Sequence, residues 1–233
     1  MRNGLRIIGL SAVAALSLTA LALQDGVVLK RAPKLGDTAK YKLSAQMDFS
    51  GQDATVTATI TDKVTKVADN GDFTVESSMT DTLVNMGGSD LQQPDERNST
   101  LYSKANDVLS VSSDPEDPDG VRKANIQTLH FPDKPVKVGD SWTVTVKKNE
   151  KGAVDASGTY TIAGRETING QDTFRIKGSM KETSGDNPMS ADGTYWVNVK
   201  DASLVKLEGS VTNYPIPNAP VFVSMKMTLV RIN

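Results

Sequence analysis

Histidine occurs once in the 233 residues, at His130, and cysteine does not occur at all. Thiol nucleophiles, disulfide scaffolds and the zinc and haem sites built from Cys and His are therefore excluded. His130 has no second imidazole or thiolate with which to complete a triad or a metal site. Ser203-Leu204-Val205-Lys206 has the Ser-x-x-Lys spacing of penicillin-recognising enzymes. That chemistry needs the serine at the start of a helix, whereas Leu204 to Val211 reads as a strand, and the companion Ser-Asp-Asn and Lys-Thr-Gly motifs are missing. Asp117-Pro118-Asp119-Gly120 has the composition of a calcium loop. With Gly120 at the sixth position, however, the first ligand would fall on Pro115 and the bidentate glutamate on Ile126, so the register rejects it. Neither a nucleophile elbow, a phosphate loop nor a dinucleotide fingerprint occurs, and the many Asp and Glu nominate no pair for a hydrolase. The sequence thus predicts no catalytic residue, no cofactor and no metal site.

Charge and composition narrow the class further. Lys plus Arg number 26 against 28 acids, for a net charge of -2, so no basic field exists to attract nucleic acid. Hydrophobic residues make up 38% and charged residues 23%, enough for a sizeable core. At the N-terminus, Arg2 and Arg6 precede an apolar run from Ile7 to Leu21 that closes on Ala20-Leu21-Ala22. This reads as a secretory signal, residues 1–22, with an Ala-x-Ala cleavage site. The rival reading is an uncleaved anchor, but the run falls short of the ~20 residues a span needs. No cysteine follows for lipid attachment. The mature chain is expected in the periplasm or medium of a bacterium, not spanning the membrane, since cysteine-free exported chains fit a bacterial envelope better than a disulfide-forming eukaryotic route.

From Thr38 onward the period is two. Tyr41, Leu43, Ala45, Met47 and Phe49 alternate with polar residues, the pattern of a half-buried strand. It returns at Val56, Ala58, Ile60; at Phe73, Val75, Ser77, Met79; at Trp142, Val144, Val146; at Phe174, Ile176; and at Val221, Val223, Met225, Met227, Leu229. Asn70-Gly71 and Asn169-Gly170 each separate two runs, as a type I′ hairpin requires. The landmarks also repeat in order: Pro33 to Asp37 with Pro135 to Asp140, Asn70-Gly71 with Asn169-Gly170, Phe73 with Phe174, and Ser99 to Tyr102 with Gly193 to Trp196. We read an all-β fold of about eleven antiparallel strands. Two duplicated meanders, residues 33–112 and 135–214, form a single domain over 23–233 with an extra C-terminal strand at 221–232. The linker 113–134 holds an acidic turn-rich loop and a two-turn helix over Val121 to Leu129. Two equivalent long loops, Leu83 to Arg97 and Thr183 to Asp192, are places where function could concentrate.

Trp142 and Trp196 sit at strand starts and are expected in the core, because a sugar-stacking platform wants several exposed aromatics. Met47, Met79, Met180, Met225 and Met227 fall on inward phases; thioethers both fill ordinary cores and line adaptable apolar ligand surfaces.

The phrases Phe131-Pro132-Asp133-Lys134-Pro135-Val136-Lys137-Val138-Gly139-Asp140-Ser141-Trp142 and Gly193-Thr194-Tyr195-Trp196-Val197-Asn198, with the signal and the duplicated meander, make the chain similar to a group of uncharacterised secreted bacterial β-proteins. That group resembles the lipoprotein-carrier half-barrel superfold, in which about eleven strands curl into an open sheet over a few helices. The resemblance implies a curved open sheet or half-barrel with at most one or two short helices. It implies a non-enzymatic protein that binds a lipid, another apolar ligand or a partner envelope protein on its concave face. Phe73, Met79, Phe174, Met225 and Met227 are the expected apolar ligand face. The alternative is a structural or adhesive module that pairs through its sheet edges.

Overall fold

The computed structural model describes residues 26–49, 51–217 and 221–232; the expected signal segment lies outside them. Among the described residues there are twelve strands: β1 (Thr38–Phe49), β2 (Gln52–Val67), β3 (Phe73–Met86), β4 (Ser89–Gln92), β5 (Glu96–Tyr102), β6 (Val108–Asp114), β7 (Ser141–Val146), β8 (Ala156–Ile168), β9 (Gln171–Glu182), β10 (Ser190–Asn198), β11 (Leu204–Pro215) and β12 (Phe222–Arg231). One helix, α1 (Gly120–Gln127), separates β6 from β7. All strands belong to one antiparallel sheet in the order β6-β5-β3-β2-β1-β12-β11-β10-β9-β8-β7, with β4 on β3. Antiparallel strands are what the alternation predicts, and the open sheet with a single short helix among the described residues is what the resemblance implies. The extra strand is β4, within the segment read as a loop; its four residues are all exposed and so carry no alternation.

Two meanders meet in the middle, where β1 lies against β12 with Tyr41 opposite Arg231 and Met47 opposite Met225. The turns leading into the meanders have the same bonds. Gly36 and Gly139 both take positive φ and donate their N–H to Val64 and Ile162, while Asp37 and Asp140 accept from those same residues through their carbonyls. The two aspartate carboxylates cap Lys34 N and Lys137 N. Asn169 and Gly170 have the paired positive φ of the expected type I′ turn, whereas at Asn70-Gly71 only the glycine does and the Ala68 to Asp72 bond closes a longer loop.

The sheet edges, β6 and β7, both come to α1. Val108 and Val111 from one edge share a cluster with Val121 and Ala124 of α1, as do Val146 at the end of the other edge and Ala153 in the loop that follows it. A flat sheet of this many strands would be roughly 50 Å wide at ~4.8 Å per strand, so the strands must curl strongly for one two-turn helix to touch both ends. Small residues permit this. Gly193 pairs with Gly178 on one side and Gly209 on the other, and a Cβ on Gly178 would lie 2.2 Å from the Tyr160 ring. Register shifts in several ladders add bends of the kind bulges produce.

The segment from β6 to β7 crosses the apolar face thus formed. Leu129, Phe131 and Val136 pack with Trp142, Tyr160, Ile162, Phe174, Ile176, Tyr195 and Val197, and Leu29 from the N-terminal segment joins them. Ile126 of α1 enters a second cluster with Ala156, Met180, Met189, Ala191, Val211 and Met225. An extended segment buried on a sheet needs partners for its carbonyls. Three consecutive ones receive side-chain donors: Thr128 O from Tyr160 Oη (3.2 Å), Leu129 O from Asn106 Nδ2 (2.9 Å) and His130 O from Trp142 Nε1 (3.0 Å). Polar bonds hold α1 as well. Arg122 forks onto the buried Glu182 of β9 at 2.6 and 2.8 Å, and Lys123 pairs with Asp117 at 2.7 Å.

Candidate functional site

What the connector leaves unfilled is a cavity of about 450 Å³ on the inner face, within the usual size of small-molecule sites. Its apolar wall is Val64, Val75, Leu129, Phe131, Val197, Leu207 and Leu229; Tyr41, Tyr102 and Tyr195 stand among them. The charged lining groups are Arg31, Asp37, Asp62, Asp201 and Arg231.

Period-two geometry places these groups. On β2 the buried positions Val56, Ala58 and Val64 share one phase, and Asp62 occupies the same phase. Its cross-strand partners are Ser77 on β3 and Ala39 on β1. The Ser77 hydroxyl donates to Asp62 Oδ1 at 2.6 Å, and the small Ala39 side chain leaves room on the other side. Burial pushes the Asp62 carboxyl up, against the opposing pull of the Ser77 bond and of the Arg31 charge. Arg31 itself stacks its guanidinium over Phe73, 5.5 Å from the ring centroid. Tyr41 donates its hydroxyl to Leu204 O at 3.2 Å, and burial, with Asp62 adding, pushes it up to about 12. Tyr195 also rises to about 12 by burial, and Tyr102 is raised by burial and by the Asp62 charge. These hydroxyls are neutral at ordinary pH. At the rim, Asp37 and Asp201 accept backbone N–H bonds from Lys34 and Ser203.

The residues singled out for chemistry are occupied structurally. His130 is buried, with Nδ1 3.2 Å from Asp107 Oδ1 and Nε2 donating to Asn125 O at 3.0 Å. Ser203 Oγ accepts from Arg231 at 3.3 Å, while Lys206 pairs with Glu208 at 2.6 Å and covers the Trp196 ring. Asp117 and Asp119 are taken up by Lys123 and Arg122. Trp142 stacks on Tyr160 in the inner cluster. Trp196 is buried too, but it alternates with Tyr195 and lies on the opposite face, donating to Glu166 Oε2 at 3.1 Å.

The five residues of the expected apolar face fall in separate places. Met225 and Met227 belong to the cluster under α1, Phe174 to the cluster under Leu129 and Phe131, and Phe73 to a smaller group with Val64, Val75 and Tyr102. Met79 is half-buried on β3 opposite Ile60. The cavity is lined by none of the five; Phe73 stands behind its wall, through Val64, Val75 and Tyr102. Sequence reasoning passed over Asp62, Ser77, Arg231 and Arg31. The first three share a signal, a polar residue interrupting the apolar phase of its strand: Asp62 between Ile60 and Val64, Ser77 between Val75 and Met79, and Arg231 after Met227 and Leu229.

No protein-family model and no curated protein matches the chain. Seven chains of known structure resemble it, among them three that each match over more than four-fifths of its length. These three are the hypothetical lipoprotein YmcC from Escherichia coli, at 15% identity over 86% of this chain and 90% of that one with a TM-score of 0.30; a DUF1329 family protein from Desulfovibrio piger, at 12% over 84% and 85% with 0.24; and a domain described as an outer membrane lipoprotein-sorting protein from Vibrio parahaemolyticus, at 10% over 84% and 85% with 0.27. Among the described residues no helix is long and apolar enough to cross a membrane.

Proposed function

We propose that this chain is an exported, non-enzymatic protein of the bacterial envelope that holds one apolar or amphiphilic ligand in the cavity between its connector and β1, β2, β3, β10 and β11. The observation that carries this reading is the cavity itself. The connector packs tightly over the rest of the inner face, onto Ile162 and Met189, which are all but inaccessible to solvent, yet leaves about 450 Å³ open between apolar walls and charged groups. The lining mixes aliphatic and aromatic walls with as much polar surface, which suits a ligand that has both an apolar part and a polar head. The edge-pairing alternative has less in its favour, because both edges already converge on α1.

Native mass spectrometry of protein gently purified from its host tests this. The expected mass is that of a chain beginning at Leu23 plus a lipophilic adduct. Ala39→Phe, which puts a ring into the cavity at a half-exposed position, is expected to lose the adduct while folding normally. Adduct-free wild-type protein, or adducts that A39F retains, would overturn the ligand reading; a mass that includes Met1 would overturn cleavage.

A further inference from the structure

The cavity has a polarity of its own. Its rim acids, Asp37 and Asp201, are satisfied by backbone N–H groups, and the two arginines are engaged, Arg31 by the face of Phe73 and Arg231 by Ser203 Oγ. Asp62 differs. Ser77 satisfies one carboxylate oxygen, and among the described residues no cation stands within ion-pairing distance of either. The groups that face it are Arg31 from the N-terminal segment, Tyr41 on β1, Ser77 on β3 and Tyr102 on β5. The two tyrosines stay neutral, and Arg31 acts only through its field. Asp62 is half-buried in a cavity of mixed polar and apolar lining, and with Ser77 on Oδ1 its Oδ2 is left open to a donor that enters the cavity.

Resting on the reading of the cavity as a ligand site, we infer that the head of the ligand is an ammonium or amidinium group seated on Asp62 Oδ2, so that the protein takes cationic amphiphiles. The aliphatic part lies along Val75, Leu207 and Leu229, and the tyrosine rings flank the cation, an arrangement in which ring faces add attraction. A charge-assisted bond of this kind favours the cation over an uncharged head by about tenfold to a hundredfold.

The test compares dodecylammonium, dodecanol and dodecanoate, each below its aggregation concentration, by calorimetric titration of the full chain. Dodecylammonium is expected to bind one per chain and at least tenfold tighter than dodecanol, with dodecanoate weakest. Asp62→Asn keeps the shape and the Ser77 contact; it is expected to bring dodecylammonium down to the affinity of dodecanol and to leave dodecanol unchanged. A second measurement needs no variant. In the wild type, dodecylammonium affinity should fall as pH drops through the raised range of Asp62, while dodecanol affinity stays flat. Equal binding of all three probes, tighter binding of dodecanoate, or a preference that survives in D62N overturns the inference and leaves the cavity reading standing. Failure of every probe to bind overturns both.

Discussion

Arg122 is the residue whose loss should be felt most by the seam that joins the two edges. The Glu182 carboxylate is 1% exposed and accepts three bonds: Arg122 Nε at 2.6 Å, Arg122 Nη2 at 2.8 Å and the Met189 N–H at 2.6 Å. Arg122 also donates to Asn187 O at 2.8 Å, so one guanidinium ties α1 to β9 and to the segment before β10. Arg122→Met keeps the aliphatic stem and removes the charge, leaving a buried carboxylate with only the Met189 N–H. Breaking a buried pair on one side costs about 3–5 kcal/mol, which in a chain of this size lowers the Tm by roughly 6–20 °C. Urea unfolding followed by circular dichroism is the assay, with an unchanged m-value as evidence that stability alone has moved. Adding Glu182→Gln removes the stranded charge, so the double variant should be more stable than R122M by at least about 1 kcal/mol. A loss under about 1 kcal/mol in R122M, the range of exposed pairs, or strict additivity in the double variant would refute the argument.

Gly178→Ala should destabilise by about 1–3 kcal/mol through overpacking, because its Cβ would sit 2.2 Å from the Tyr160 ring, itself stacked on Trp142; an unchanged urea midpoint would contradict this. Asp107 is held below the usual carboxylate range, first by the His130 hydrogen bond and also by Ser103. A depressed folded-state value means stability that is complete above the unfolded value of ~3.9 and is lost as pH falls through the folded one. Unfolding midpoints of Asp107→Asn measured from pH 6 down to pH 2 should therefore show a shallower acid loss than wild type, and identical slopes would contradict the assignment.

The strands were legible because each buries one face and exposes the other, and Tyr41 to Met47 or Val223 to Leu229 record that in alternation. β4 was not, since Ser89 to Gln92 bury nothing. The short helix was legible from its flanking turn residues, but its position was not. Ile126 and Phe131 look like ordinary apolar residues, and only the fold reveals that they fill the inside of the sheet rather than a linker. For the same reason the expected ligand face fell in several clusters: apolarity marks what is buried, not what buries it. The polar end of the cavity had a readable sign in Asp62, a charge on an apolar phase, whose meaning depended on Ser77 and Ala39 being its neighbours across the ladder.

The central ladder joins the first strand of the fold to the last. A chain made from its N-terminus therefore releases β1 long before β12 exists, and the β1 edge on that side must wait for the whole second meander. Closing so long a loop costs little free energy in the end, since the cost grows only with the logarithm of length. It does, however, place a non-local pairing late in folding, where it slows the reaction and leaves an open strand edge exposed to other chains. The alternating lysines of β1, Lys40 and Lys42, lie on that waiting strand, and like charges there oppose premature pairing with a second copy of itself.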